Sequence, residues 1–163
     1  MRAYVGVGTN LGDRWANLAH AARAFRAEPR IAVLRASHVY DTAPLGPPQP
    51  RYLNAVLELE AELPAPKLLE VLQRIERSRG RRRTGVRWTA RTLDLDLLLA
   101  GDAVIRGPDL AVPHPGLASR RFVLQPLAEL CPDQVVPGTG HTVAQLLAEA
   151  PEGDVEAVGI YPL

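Results

Sequence analysis

The chain has 163 residues, 47% of them hydrophobic and 23% charged, with a net charge of +1. These values suit a single domain over residues 1–163 and exclude a disordered chain, a fibre and a uniformly basic nucleic-acid coat. No apolar run approaches the roughly 18 residues of a membrane span, the start lacks a signal-peptide core, and the lone Cys131 has no disulfide partner, so a cytoplasmic protein without membrane contact is predicted.

Ala3, Val5 and Val7 alternate with Tyr4, Gly6 and Gly8, as in a short strand. Thr9 to Asp13 break it, with Asn10 and Asp13 suited to turn and cap bonds. Leu11, Trp15, Leu18, Ala22 and Phe25 then draw one apolar stripe on a helix that closes before Pro29. The glycines form neither a dinucleotide fingerprint nor a P-loop, so tight strand-to-helix geometry is their better reading. Residues 31–40, rich in Ile, Val and Tyr, predict a second strand, ended by a loop with prolines at 44, 47, 48 and 50.

In the third strand Leu53, Ala55, Leu57, Leu59, Ala61 and Leu63 share one face, and Asn54, Glu58, Glu60 and Glu62 share the other, which predicts a buried side and a side that is wet at its far end. A helix over 66–79 follows, with Pro66 in its first turn and Gly80 as its cap. Residues 92–99 alternate again before a turn at Gly101 and Asp102. The order β-α-β-β-α-β predicts an α+β split β-α-β sandwich, with helices near 120–129 and 142–149 added beyond it.

Asp94 and Asp96 lie two apart on a strand, so both carboxylates project from one face, about 7 Å between alpha carbons at roughly 3.3 Å per residue. Leu93, Leu95 and Leu97 point the other way, into the core. Two like charges side by side need a cation or a solvated edge, so the pair is either the polar side of an edge strand or a hard-cation site of the Mg²⁺ kind. From 74 to 91 there are eight arginines (74, 77, 79, 81, 82, 83, 87 and 91) against Glu76 alone, a local excess of +7. Such a run serves as a solvated loop, an RNA-binding patch or a set of forks for phosphate oxygens, and its place beside the aspartates favours phosphate. Mutual repulsion, with glycines at 80 and 85, predicts that residues 80–91 stay open until a metal-bound triphosphate arrives.

Tyr52 and Phe122, two of only eight aromatics, suit a flat ring or the core, and Asn54 offers paired donor and acceptor to a heterocycle edge. His20 and His141 read as surface residues and His38 as a strand residue. His114, between Pro113 and Pro115 and near Arg120 and Arg121, is placed to donate to a phosphate. Cys131 reads as packing.

Arg87 to Leu99, RWTARTLDLDLLL, closely resembles the R-W-x-x-R-T-[LI]-D-[LI]-D signature of the 6-hydroxymethyl-7,8-dihydropterin pyrophosphokinase family. Three further blocks agree in order and spacing, Tyr4 to Leu11, Tyr40 to Asn54 and Val112 to Leu127, so the resemblance covers roughly residues 2–148. It implies a ferredoxin-like fold with an antiparallel sheet, and transfer of the β,γ-pyrophosphoryl group of ATP to the pterin hydroxymethyl oxygen with release of AMP in folate biosynthesis. The implied cofactor is a pair of Mg²⁺ ions, and the implied partners are ATP and the hydroxymethyldihydropterin, with no nucleic acid and no obligate protein partner, as a monomer.

Carried over, Asp94 and Asp96 are the metal pair, and Arg81 and Arg91 engage the transferring phosphates. Tyr52 and Phe122 sandwich the pterin, while Asn54, Thr42, Leu45 and Gly46 line its hydrogen-bonding edge. Gln73, Glu76, Trp88, Leu97, His114 and Arg120 match ATP-side positions. Thr84 stands where some members carry a loop lysine, and Pro115 where others have tyrosine. No general base is evident, and Asp96 or water would take the hydroxymethyl proton. The same fold also hosts RNA-recognition domains, but the aromatic strand motif those use is missing.

Overall fold

In a computed structural model, which describes residues 1–79 and 92–163, the alternating segments pair into one antiparallel sheet of six strands. These are β1 (Arg2–Thr9), β2 (Ile31–Ala36), β3 (His38–Thr42), β4 (Tyr52–Ala61), β5 (Asp94–Ala100) and β8 (Val155–Ile160), in the order β5-β1-β4-β3-β8 with β2 also on β4. A small hairpin of β6 (Ile105–Arg106) and β7 (Ala111–Val112) stands apart. The helices are α1 (Arg14–Arg26), α2 (Ala65–Ser78), α3 (Arg121–Leu130) and α4 (Val143–Glu149). The ferredoxin-like α+β fold expected from the sequence is the fold found.

Helices cover both faces of the sheet, and period-two alternation decides which residue goes to which. Val5, Val7, Ala55, Leu57, Leu59, Leu95 and Leu97 pack under α1 and α2 with Leu18, Phe25, Leu68 and Leu72. Full burial of Leu18 and Phe25 stabilises by roughly 1.5–3 kcal/mol each. On the opposite face Tyr4, Val56, Leu98 and Leu99 meet Leu124, Leu127, Leu130 and Cys131 around α3, with Val143 and Leu146 of α4. A register shift between Tyr4 and Val5 opposite β5 goes with Leu98 and Leu99 both joining this second cluster.

Four expectations change. Residues 31–40 are not one strand: β2 and β3 are separated at Ser37, whose Oγ accepts from Val56 N at 2.8 Å while its own N–H donates to the Val56 carbonyl at 2.9 Å. The hydroxyl thus replaces a ladder carbonyl at the break. The α1 stripe is shorter than predicted, because Leu11 and Trp15 are exposed and only Leu18, Ala21, Ala22 and Phe25 reach the core. Glu58 is buried rather than wet, because the Arg35 guanidinium (3.1 Å), Arg2 (3.5 Å) and the Tyr4 hydroxyl (3.4 Å) all meet its carboxylate. The C-terminal region adds a strand as well as helices, since β8 pairs with β3 from His38 to Thr42. Gly80 as helix cap lies outside the described residues.

Candidate active site

Along the second face, side-chain size falls away from one end of the sheet to the other. On β1 this face carries Tyr4, then Gly6 and Gly8. The missing side chains leave the floor of a cavity of about 420 Å³, walled by β4, β5, the start of α3 and the loops after β3 and β7. Thr42, Leu45, Tyr52, Asn54, Asp94, Asp96, His114, Arg120 and Phe122 all line it.

The ring-side wall is built by hydrogen bonds within the protein. Asn54 pairs with Gly8 on one side and Tyr40 on the other, and its Nδ2 donates to Thr42 Oγ1 at 2.7 Å. With the amide so turned, Oδ1 lies over Gly8, where an added Cβ would stand 2.8 Å from it and 3.5 Å from the Tyr52 ring. Glycine at 8 is therefore what allows Asn54 and Tyr52 to occupy the floor. Phe122, half-buried in the first turn of α3, lines the same cavity.

The proline loop that precedes β4 is tied down as well. Gln49 Nε2 donates back to the Leu45 carbonyl at 3.2 Å. Arg51 bridges Asp41 and Asp154, which holds its guanidinium charged far above any working pH through hydrogen bonds to Asp154 and then Asp41.

The carboxylate wall follows from the pleat of β5. Asp94 and Asp96 face the cavity half-buried, while Leu95 and Leu97 fill the other side. His114 Nε2 stands 3.8 Å from Asp96 Oδ1. The Gly116 N–H donates to His114 Nδ1 at 3.1 Å, so the neutral ring carries its hydrogen on Nε2, the side toward Asp96. Burial, then the nearby Arg120, push the His114 pKa below the ordinary value, with Asp94 acting the other way. The Arg120 guanidinium stands against Gly116, where an added Cβ would be 2.5 Å from it.

Not every expected residue reaches the cavity. Gly46 is exposed in the proline loop beside Leu45 and Gln73 is half-buried on α2, and neither lines it. Leu97 is buried in the core on the opposite face of β5. Glu76 is buried, with Oε2 accepting from the Leu95 N–H at 2.8 Å, so it fixes β5 against α2 from behind the aspartates. Arg81, Trp88 and Arg91, together with Thr84 and the expected opening of 80–91, lie outside the described residues. Two members of the arginine run already have partners, Arg74 at Glu28 and Arg79 at Asn17. Arg121 turns away from the site and caps α4, donating to the Leu147, Ala150 and Pro151 carbonyls.

The sequence reading missed Gly6 and Gly8 as the cavity floor, and Val56 and Val123 as its apolar lining. The available signal was a pair of glycines inside a strand, on the same face as Tyr4.

The chain is thus an α+β sandwich whose sheet opens at one end into a cavity lined by aromatic side chains and by a pair of carboxylates. The sequence family described as 7,8-dihydro-6-hydroxymethylpterin-pyrophosphokinase (HPPK) matches residues 4–132. The chain belongs to this family. It is 40% identical over 161 residues to the 2-amino-4-hydroxy-6-hydroxymethyldihydropteridine pyrophosphokinase of Synechocystis, covering 99% of this chain and 80% of that protein. It is 42% identical to the protein of the same name from Pseudomonas aeruginosa, over 95% of each. The fold superimposes on a crystal structure of wild-type Plasmodium falciparum HPPK-DHPS with pteroate at a TM-score of 0.72, with 14% identity over 91% of this chain. The chain spans 42% of that structure's length, so this likeness concerns the fold.

Proposed function

We propose that the cavity is where this enzyme transfers a pyrophosphoryl group from ATP to the hydroxymethyl oxygen of 6-hydroxymethyl-7,8-dihydropterin, a step of folate biosynthesis. The hydroxymethyl oxygen gives its proton to Asp96 or water and bonds to the β-phosphorus, the bond between that phosphorus and the α-phosphate oxygen breaks, and AMP leaves. The observation that carries the reading is the joining, in one cavity of about 420 Å³, of Tyr52, Asn54 and Phe122 with Asp94 and Asp96.

Tyr52 and Phe122 hold the ring from its two faces, and Asn54 Oδ1, turned by the bond to Thr42, accepts from the N–H edge of the pterin. Leu45 and the backbone around Gly46 close that edge. Asp94 and Asp96 offer oxygen ligands only, and among the described residues no group of three or more His, Cys, Asp or Glu is placed to hold an ion. Two carboxylates with the remaining positions left to phosphate and water suit Mg²⁺, which keeps much of its shell. The two ions of this reading supply charge neutralisation along the triphosphate. His114, with its hydrogen on Nε2, and Arg120 are donors to phosphate oxygens at the cavity rim. Arg81 and Arg91 enter as phosphate partners, and Gln73, Glu76, Trp88 and Leu97 as ATP-side residues, from the sequence resemblance alone. In this reading the enzyme acts in the cytoplasm as a monomer. No helix among the described residues is long and apolar enough to cross a membrane.

The test is AMP release from ATP with and without the hydroxymethyldihydropterin. AMP formed only with the pterin is the expected result. Release unaffected by pterin, or pterin left unmodified, contradicts the reading.

A further inference from the structure

The turn between β1 and α1 is tied to both walls of the cavity by side chains. Toward the ring side, the buried Asn10 donates from Nδ2 to Gln49 Oε1 and to the Pro50 carbonyl, both at 2.9 Å. Arg14 Nη1 donates to the Arg51 carbonyl at 3.1 Å. These bonds fix the residues that lead directly into Tyr52 and Asn54.

Toward the carboxylate side stands Asn17, 3% exposed, near the start of α1. Its Nδ2 donates to Thr9 Oγ1 and to the Leu11 carbonyl, both at 3.0 Å. Its Oδ1 accepts twice from Arg79, from Nε at 3.1 Å and Nη2 at 2.7 Å. The Arg79 carbonyl accepts in turn from Thr92 Oγ1 at 2.8 Å, and Thr92 lies just before Asp94, the first residue of β5. A continuous set of bonds therefore runs from the turn, through Asn17 and Arg79, to the strand that carries both carboxylates.

We propose that Asn17 is a positioning residue for the transfer reaction: by docking Arg79, and through it Thr92, it sets where Asp94 and Asp96 enter the cavity relative to the ring wall. The proposal rests on the cavity being the site of pyrophosphoryl transfer. An amide is the side chain suited to this place, because one of its heads must donate to two oxygens while the other accepts a guanidinium. Aspartate there lacks the donor and leucine lacks both. The bonds of Asn17 are to protein groups, so its loss misplaces reacting groups without removing one. A misplacement on the order of 1 Å costs up to about a hundredfold in rate.

The test is steady-state kinetics of the full chain, varying each substrate, at a temperature where circular dichroism shows each variant folded. Asn17→Ala should lower kcat roughly tenfold or more, with both KM values within about threefold. Arg79→Met should behave alike, and the double variant should be no slower than the slower single one, because both changes remove the same bond. Thr92→Val deletes only a hydroxyl at a half-exposed position, so it keeps the test open if Asn17→Ala does not fold, and it should show the same kcat pattern. A purely stabilising role predicts lower melting temperatures with kcat per folded molecule unchanged. That result, or independent additive losses from Asn17→Ala and Arg79→Met, overturns the proposal while the unaltered enzyme remains active. An unaltered chain that releases no AMP in the presence of pterin overturns the reading of the cavity and the proposal together.

Discussion

The same face of the same three strands is closed at one end and open at the other. At the closed end Tyr4 and Leu99 pack under α3, and Glu58 is held there by Arg35, whose Nη2 also donates to the Leu130 carbonyl at 2.7 Å. At the open end Gly6 and Gly8 replace the large side chain on β1, and Asn54, Asp94 and Asp96 take the positions that face the cavity. The pairing of β1 with β4 is equally regular at both ends. What separates packing from chemistry here is side-chain size and charge at every second residue, so substitutions at the two ends should fail in different ways.

The largest effect is expected at the carboxylates. Asp96→Asn should cut turnover by about a hundredfold or more, the range associated with losing several kcal/mol of charge stabilisation. The melting temperature of the free protein should stay level or rise slightly, because a like-charge pair is relieved. Asp94→Asn should do the same, and near-normal turnover in both would remove the metal assignment.

Gly8→Ala should come next. The new methyl would stand 2.8 Å from Asn54 Oδ1, so Asn54 must leave Thr42, and pterin affinity should fall by about tenfold or more as a buried hydrogen-bond partner is lost. Gly6→Ala meets only Leu98, at an ordinary 3.5 Å, and should be far milder. Equal effects at the two positions, read by calorimetry with pterin, would contradict the floor assignment. Phe122→Ala should weaken pterin binding by roughly 1–2 kcal/mol through lost aromatic contact, and ATP binding much less. Equal losses for both ligands would place Phe122 in the general core.

The closed end supplies the smaller, purely structural effects. Arg35→Ala leaves buried Glu58 with only the longer contacts to Arg2 and the Tyr4 hydroxyl and leaves the Leu130 carbonyl short of a donor. It should destabilise by about 2 kcal/mol in denaturant melts without altering kcat. Cys131 has its thiol pushed up to about 11 by burial. Against an ordinary thiol its thiolate fraction at pH 8 is lower by about a hundredfold, so alkylation of the native protein should be slower by at least that factor than in denaturant. The thiol is neutral in the folded chain, so its contribution is fully present below the unfolded thiol's pKa and is lost as the pH rises toward 11. Rapid native labelling at pH 8 would show that this end is not closed.

Much of this was legible in the sequence, for a physical reason. Period-two alternation placed Leu95 and Leu97 against the core and Asp94 and Asp96 away from it, and 3.6-residue spacing placed Leu18, Leu68 and Leu72. The failures lie where a single residue has no period to read. Ser37 interrupts a strand by lending its hydroxyl to the Val56 N–H, and no hydropathy pattern signals that. Glu58 is charged and still buried, because its partners come from β1, β2 and a hydroxyl 54 residues away. Gly8 reads as the end of a strand leading tightly into a helix until the neighbouring strand shows what needs the space. Asn17 lies within α1, where no hydropathy pattern marks it, and only the fold brings Arg79 to it across 62 residues.

If the two walls of the open end divide the work, the ring wall binds by itself and the carboxylate wall acts only on the nucleotide. Calorimetric titration of 6-hydroxymethyl-7,8-dihydropterin into the Asp94→Asn/Asp96→Asn double variant, without nucleotide, tests it most directly. The expected result is a dissociation constant within about threefold of the unaltered enzyme, less than about 1 kcal/mol, in a protein that no longer turns over. Loss of pterin binding in that variant would contradict it.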